Sequence, residues 1–196
     1  MKKGNVRLPV TGIVFLLVGV SITVFAFGFS MWGGFTQDTT ISASEVSALN
    51  TPAGTNVKID KNSNTIYFYG LDVIIPIIAS PENGPMYAFE IYGLVNPKIV
   101  VQKGANVTIE FVNGDNDMYH GVVVTPGAPP YYYMGEMMFD RSAFAGSFVQ
   151  PLPPESNHKF YFAKATFKAN ISGSFYYICQ VPGHAENGMY GQFVVR

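Results

Sequence analysis

The chain has 196 residues, enough for one domain of ordinary size and an appended segment. Hydrophobic residues make up 48% of it and charged residues only 13%, which favours a large buried β core, a membrane segment or both. A formal net charge of −1 excludes the strongly basic surface of a nucleic-acid-binding protein, and the single cysteine excludes an intrachain disulfide.

An apolar segment without charged residues extends between Arg7 and Asp38. Residues 8–32 are long enough for a helix to cross a bilayer core about 30 Å thick. Two lysines and Arg7 precede the segment, so the positive-inside rule places the amino terminus in the cytoplasm and the rest of the chain outside. We therefore predict that residues 1–35 are an N-terminal membrane anchor, and that the protein crosses the cell membrane once and has an extracytoplasmic C-terminal domain.

A cleaved signal peptide is the alternative for this segment. The apolar region of a signal peptide usually has about 7–15 residues, fewer than are found here, although Ala26 and Gly28 form a small-x-small pattern. Either interpretation exports the remaining chain. The acceptor tripeptides that begin at Asn106 and Asn170 are compatible with glycosylation outside the cell.

Residues 36–56 are rich in Ser, Thr and Ala and have no hydrophobic periodicity. That composition is typical of a flexible linker. We expect it to separate the membrane segment from a globular domain that comprises residues 57–196.

The globular domain is predicted to be all-β. Short hydrophobic runs are divided by Gly, Pro and Asn turns, and no run has a helical period of more than one or two turns. Regularly spaced strands of this kind indicate a β-sandwich. The pattern predicts about nine strands and one irregular segment, 73–78, that contains a proline; the ranges are 57–60, 65–69, 73–78, 87–92, 98–101, 106–112, 121–125, 159–162, 174–179 and 192–195.

One stretch, residues 126–157, has little regular pattern and is rich in Tyr, Phe and Met. A loop of about thirty residues is usually functional or partly structured. It either caps one end of the sandwich and contributes to the core, or forms an apolar cover and docking surface. The side chains suited to the second role are Tyr131, Tyr132, Tyr133, Met134, Met137 and Met138.

Cys179, His184 and Met189 follow one another closely, immediately before the last predicted strand. A Pro-Gly turn precedes His184, so one short loop brings a thiolate, an imidazole and a thioether to one point. Two histidines, a cysteine and a weak axial methionine are the ligands of electron-transferring copper. The spacing therefore predicts one mononuclear copper ion. Zinc also accepts Cys and His ligands, but the methionine argues for copper.

His120 is the predicted second imidazole ligand. It stands at the start of a predicted strand, after the turn-like residues 115–119, whereas His158 lies in a loop among prolines and polar residues. No further histidines are present outside the loop of His184. We predict that His120 binds the metal and that His158 is a surface residue.

The run CQVPGHAENGMYGQFVV, residues 179–195, resembles the copper loop of rusticyanins and sulfocyanins, which are cupredoxins. With the N-terminal apolar segment and the run MYAFEIYGLVNPKIVV, the chain resembles the sulfocyanin family in particular. The resemblance implies an all-β, cupredoxin-type Greek-key β-sandwich preceded by a transmembrane helix. It also implies one type 1 copper on His120, Cys179, His184 and Met189, and a role in the respiratory electron transport of acidophilic archaea.

The residue after the first histidine departs from the cupredoxin pattern. Many cupredoxins have Asn or Ser at this place, where the side chain helps to hold the loops and hydrogen-bonds the cysteine sulfur, whereas this chain has Gly121. We expect other residues to support the site, with an effect on the redox potential rather than on the identity of the metal.

The histidine and cysteine counts limit the chemistry. One cysteine and three histidines exclude a dinuclear copper centre, a multicopper oxidase and a copper nitrite reductase. No acid at a fixed spacing accompanies Cys179 and His184, which argues against a cysteine nucleophile. We predict an electron carrier, not an enzyme, with no small-molecule substrate at the metal. Its partners would be redox proteins of a quinol-oxidising complex, a terminal oxidase or an iron-oxidation pathway; a copper carrier for oxidase assembly stays open as the alternative.

Overall fold

The computed structural model describes residues 39–52, 56–81, 84–133 and 142–196. Within these ranges the chain forms thirteen β-strands and one short α-helix, which agrees with the predicted all-β domain. In chain order the elements are β1 (Thr39–Ser42), α1 (Ala43–Leu49), β2 (Val57–Asp60), β3 (Thr65–Phe68), β4 (Asp72–Ala79), β5 (Phe89–Ile91), β6 (Leu94–Val95), β7 (Lys98–Val101), β8 (Ala105–Asn113), β9 (His120–Thr125), β10 (Phe148–Leu152), β11 (Lys159–Ala169), β12 (Gly173–Ile178) and β13 (Tyr190–Val195).

The strands form two sheets that pack face to face. One sheet has the order β1-β11-β8-β4-β5-β6 and the other has the order β10-β9-β12-β13-β7-β3-β2. The pairs β4–β8, β7–β13 and β3–β7 are parallel, and the other paired neighbours are antiparallel. Buried side chains from both sheets form one hydrophobic core, among them Ile75 and Ile109 of the first and Tyr177 and Phe193 of the second. The domain is therefore a β-sandwich.

Strand β8 illustrates why these segments form strands. Val107, Ile109 and Phe111 are fully buried, whereas Thr108 and Glu110 between them are partly exposed. This alternation places one face of the strand in the core, as the pattern of the sequence predicts. Burial of each of the three hydrophobic side chains stabilises the fold by about 1.5–3 kcal/mol.

The prediction of a flexible linker over residues 36–56 is wrong for Thr39–Leu49. β1 pairs with β11, from Thr39 opposite Phe162 to Ser42 opposite Lys159. α1 then begins with a capping box, in which the Ser42 side chain accepts from the backbone N–H of Glu45 and the Glu45 side chain accepts from that of Ser42. The strand depends on a partner far along the chain, so the local composition does not reveal it.

Two further strands lie where the sequence pattern was weak. β11 continues to Ala169, well past the predicted end at 162. β10 lies inside the irregular stretch 126–157 and pairs with β9. Phe144, Val149 and Leu152 of this stretch are buried in the main core, so part of it contributes to the core as one of the two interpretations proposed.

The predicted membrane anchor, residues 1–35, lies outside the described residues. Among the residues that are described, no helix has the length and the hydrophobicity needed to cross a bilayer. The anchor and the domain boundaries derived from it remain predictions.

One end of the sandwich collects the segments that carry the predicted metal ligands. His120 begins β9 and lies opposite Leu152 of β10. Cys179 follows Ile178, the last residue of β12, which pairs with Tyr190 at the start of β13. The loop between β12 and β13 therefore closes over the start of β9.

Candidate metal centre

His120, Cys179 and His184 form a compact buried cluster. Sγ of Cys179 lies 3.8 Å from Nδ1 of His120 and 3.5 Å from Nδ1 of His184, and the two nitrogens are 3.1 Å apart. The centre of a triangle with these sides lies about 2 Å from each corner, which is the length of a metal–imidazole bond. The described residues contain one such group of potential ligands, and all three of its members are buried.

Backbone hydrogen bonds hold the loop that carries two of these ligands. The N–H of His184 donates to Val181 O, the N–H of Met189 donates to His184 O, and the N–H of Cys179 donates to Met189 O, at 3.1, 3.0 and 3.1 Å. Gly183 and Gly188 adopt φ values of +83° and +102°, which other residues rarely adopt. The glycines therefore allow the tight turns that bring Cys179, His184 and Met189 together.

Met189 is fully buried and belongs to the main hydrophobic core. Its backbone bonds to both Cys179 and His184 place it beside the triangle of donor atoms. Its assignment as the axial ligand stays a prediction, supported by this placement and by the chemistry of the thioether, which suits Cu(I).

Asp115 and Ser80 orient the ring of His120. Nε2 of His120 lies 2.8 Å from Oδ2 of Asp115 and 3.1 Å from Oγ of Ser80. Oδ1 of Asp115 accepts from the backbone N–H groups of Asp117 and Met118. Because an ionised carboxylate only accepts hydrogen bonds, the Nε2 atom of His120 carries the proton and Nδ1 presents its lone pair to the cluster. A carboxylate in this position is a common support for a metal-binding histidine.

The sequence pattern did not reveal this role for Asp115. It stands five residues before His120, in a segment that the pattern identified only as turn-like. A buried acid in a turn before a candidate ligand is the signal that could have found it. Ser80, forty residues away along the chain, has no comparable local signal.

The electrostatics of the site favour neutral imidazoles. Burial opposes ionisation of Asp115, but hydrogen bonds from the backbone of Asp117 and from His120 outweigh it and lower the pKa of Asp115 to about 2. Burial lowers the pKa of His120 despite the nearby Asp115. Burial, with a contribution from His120, lowers the pKa of His184 to about 4. Metal ions bind the neutral form of histidine, so these shifts prepare both rings for a metal in mildly acidic solution.

Two buried amides tie the loops of the site to the sandwich. Nδ2 of Asn113 lies 2.9 Å from Met118 O, 3.0 Å from Leu152 O and 2.9 Å from Pro153 O, and its Oδ1 accepts from the backbone of Asp115. Asn96 donates to Gly188 O at 3.0 Å, one residue before Met189. Both residues connect segments that are distant in the sequence, so neither could be assigned from spacing alone.

His158 lies apart from the cluster. It is exposed and lines a surface cleft with Asp117 and Glu155. The structure thus brings together His120, Cys179 and His184, and leaves His158 at the surface as the sequence predicts.

The tyrosine-rich part of the 126–157 stretch lies against the loop between Cys179 and Met189. Tyr131 is buried, packs edge-on against Tyr190 at 5.1 Å and donates to Gly127 O. The carbonyl of Tyr133 accepts from the N–H of Gly183, and a Cβ placed on Gly183 would lie 3.1 Å from the Tyr133 ring. Tyr132 and Tyr133 are 71% and 59% exposed. Met134, Met137 and Met138 lie outside the described residues.

Comparisons with known proteins agree with this geometry. No protein-family model matches the chain. The chain is 30% identical to a rusticyanin of Acidithiobacillus ferrooxidans over 135 residues, which are 69% of this chain and 69% of that protein. It resembles the solved structure of rusticyanin from Thiobacillus ferrooxidans with a TM-score of 0.73 and 27% identity, over 82% of this chain and 98% of that one. A further structure, described as the copper protein rusticyanin, has a TM-score of 0.73 and 26% identity over the same shares.

The donor set has the composition that type 1 copper requires. One thiolate and two imidazole nitrogens come together in a buried site beside a buried methionine. Soft sulfur and imidazole ligands in this combination bind copper in electron-transfer proteins. The cluster fits a single type 1 copper ion. The chain belongs to the cupredoxin family of blue copper proteins, to which rusticyanin belongs, and is an electron-transfer protein.

Proposed function

We propose that the protein carries single electrons in a respiratory chain at the outer face of the cell membrane. In this proposal His120, Cys179, His184 and Met189 bind its copper ion. The observation that carries the ligand assignment is the buried triangle of two imidazole nitrogens and one sulfur. When bound, copper supplies a Cu(II)/Cu(I) couple that accepts and releases one electron.

The protein frame keeps the donor atoms in place. Asp115 holds the ring of His120, and the loop hydrogen bonds hold Cys179 and His184. His120 and Cys179 are fully buried, which excludes water from this side of the site. A rigid, dry set of ligands needs little rearrangement when the charge of the metal changes. This supports an electron carrier rather than an enzyme.

His184 is the proposed route for electrons to and from partners. It keeps 7% of its surface exposed, whereas His120 keeps none. Tyr87 packs edge-on against its ring at 5.1 Å, and Tyr133 lies over the neighbouring Gly183. Apolar groups around a small exposed edge suit brief contact with a redox protein, because transient electron-transfer interfaces are small.

Sequence features outside the described residues support the membrane location. The length of the apolar segment 8–32 and the basic residues before it favour a single-pass anchor with an extracytoplasmic domain. The run MYAFEIYGLVNPKIVV supports a sulfocyanin-type protein within the cupredoxins. A quinol-oxidising complex, a terminal oxidase and an iron-oxidation pathway are the partner classes that fit such a carrier.

The copper-carrier alternative has less support. A carrier must release its metal quickly, whereas the donor atoms here are buried and include a thiolate. The sulfur-rich residues that could pass copper onward, Met134, Met137 and Met138, lie outside the described residues. A carrier would lose Cu(I) rapidly to a chelator, which separates the two functions experimentally.

Purified full-length protein tests the copper assignment. We expect one copper per chain and reversible one-electron reduction without loss of the metal. Replacement of His120 with Ala should abolish binding of copper at the type 1 site, whereas His158→Ala is the matched control and should leave it unchanged. Colourless Cu(II) and rapid transfer of Cu(I) to a chelator would support the carrier instead.

Fractionation of cells tests the membrane location separately. We expect the full-length chain to remain with the membranes after washing with high salt and alkaline carbonate, and a variant that lacks residues 8–32 to be released. Recovery of the full-length chain in the wash would contradict the anchor without affecting the copper assignment.

A further inference from the structure

The side chain of Gln180 bridges two strands by crossing a third. Gln180 directly follows Cys179 after the end of β12, and its Nε2 donates to Val149 O in β10 at 2.7 Å. β9 lies between β12 and β10 in the sheet. The amide therefore passes over β9 at the level of the metal site.

Gly121, the residue after His120, leaves the space for this crossing. A Cβ placed on Gly121 would lie 2.7 Å from Nε2 and 2.9 Å from Cδ of Gln180, and 2.8 Å from Val149 O. Cβ atoms essentially never approach other heavy atoms so closely. The glycine and the glutamine side chain are therefore matched, and a larger residue at 121 would displace the amide.

The bridge lies where the regular strand pairing is interrupted. In the β10–β9 pair, Val149 is opposite Val122 and Leu152 is opposite His120, so Gln150 and Pro151 form a bulge opposite the single Gly121. Proline lacks an N–H and cannot contribute to the ladder there.

The pairing on the other side of β9 stops at the same level. The register of β12 with β9 extends to Ile178 opposite Val123, and the N–H of Cys179 instead donates to Met189 O. The Gln180 amide thus links the two flanks of β9 at the level of the candidate ligands.

We propose that Gln180 is a positioning residue of the metal centre, which sets the separation of His120 and Cys179 by bridging β12 and β10 across Gly121. The donor atoms of those two ligands are 3.8 Å apart and sit on the segments that the bridge connects. Within the described residues, Oε1 of Gln180 is buried and has no hydrogen-bond partner, so the link is made by Nε2. The inference rests on the copper ligation proposed above and adds a residue that tunes it.

Substitution of Gln180 tests the effect on the loaded site. Gln180→Glu removes the donor and places a carboxylate against Val149 O, and Gln180→Ala removes the bridge altogether. In both variants we expect a shifted reduction potential, an altered ratio of the visible absorption bands and a rate of electron self-exchange lower by about tenfold. Gln150→Ala is the matched control, since Gln150 is an exposed glutamine of the same bulge, and it should leave all three unchanged. A lower melting temperature with an unchanged potential and spectrum would show a structural role only and overturn the proposal.

A double-mutant cycle in the copper-free, full-length protein tests the bridge itself. Gly121→Ala should lower the free energy of unfolding, because its Cβ collides with Gln180. In the Gln180→Ala background the same substitution should cost clearly less, although its contact with Val149 O remains. Equal costs in the two backgrounds would overturn the proposed coupling. This outcome is distinct from failure of the proposed function, which would show as a wild-type protein that binds no type 1 copper.

Discussion

Nε2 of His120 and Oδ2 of Asp115 are 2.8 Å apart, and both side chains are buried. The carboxylate is ionised, since its pKa lies near 2, and it therefore places a negative charge behind one of the proposed copper ligands. Such a charge favours Cu(II) over Cu(I), because the oxidised ion carries more positive charge. The His120–Asp115 pair thus links the fold of the turn before β9 to the redox potential.

Replacement of Asp115 with Asn should raise the reduction potential. The loss of a full charge next to His120 removes stabilisation of Cu(II) of about 1.4 kcal/mol, equivalent to about 60 mV for one electron. Voltammetry on the copper-loaded variant measures the shift. Asp72→Asn is a suitable control because Asp72 begins β4, whose other end lies beside Asn113 near the site. An unchanged or lower potential in Asp115→Asn would show that the carboxylate does not act on the metal.

The copper-free protein should lose stability as the pH falls from 6.5 to 4. The pKa of His184 is lowered from 6.5 to about 4 in the folded state, so the unfolded chain binds more protons in this interval. At 1.36 kcal/mol per unit the loss is about 3 kcal/mol. A further loss should follow between pH 3.8 and about 2, where Asp115 becomes protonated in the unfolded chain before the folded one. Denaturant unfolding at several pH values measures both steps, and a flat profile between 6.5 and 4 would contradict the burial of a neutral His184.

The copper-loaded protein should keep its metal to about pH 4. Protons compete with copper for imidazole nitrogen, and the lowered pKa values of His120 and His184 delay that competition. A pH titration of the visible spectrum provides the measurement. Release of copper with a midpoint near pH 6.5, the value of an ordinary histidine, would mean that the site does not protect its ligands.

Met189→Leu should retain copper and raise the reduction potential. The thioether is a weak axial donor that stabilises Cu(II), and leucine fills the same buried space without donating electrons. Copper content, voltammetry and electron paramagnetic resonance together define the effect. Complete loss of copper from the variant would rule out a purely axial role for Met189.

Asn113→Ala should loosen the site through its scaffold. The Asn113 side chain donates to carbonyls of two separate segments, so its removal leaves buried acceptors such as Leu152 O without that partner. We expect the free energy of unfolding to fall by about 1–3 kcal/mol. A loss of copper affinity should accompany it, because the turn that carries Asp115 is no longer held. If stability falls while copper affinity is unchanged, Asn113 supports the fold alone.

The parts of the site that are local in sequence could be predicted, and the parts that depend on tertiary partners could not. Cys179, His184 and Met189 share one short loop, so their spacing alone indicates a metal site. His120 was placed by its position at the start of a strand, and the structure confirms its proximity to Cys179. β1 escaped notice because its hydrogen-bonding partner, β11, lies about 120 residues away along the chain.

Supporting residues show the same limit. Gly121 was recognised as a departure from the cupredoxin pattern, but its partner Gln180 became visible only when β12, β9 and β10 were seen side by side. Ser80 reaches His120 from the end of β4, a contact that no spacing rule contains. The membrane anchor has a strong sequence signal and stays a prediction.

The central claim is that the thiolate of Cys179 binds the copper ion, and visible absorption spectroscopy of the Cu(II)-loaded protein tests it most directly. We predict an intense band near about 600 nm in the wild-type protein. The band should be absent from Cys179→Ser, whose circular dichroism should still show the folded sandwich. A wild-type protein without the band, or a Cys179→Ser variant that retains it, would contradict the assignment.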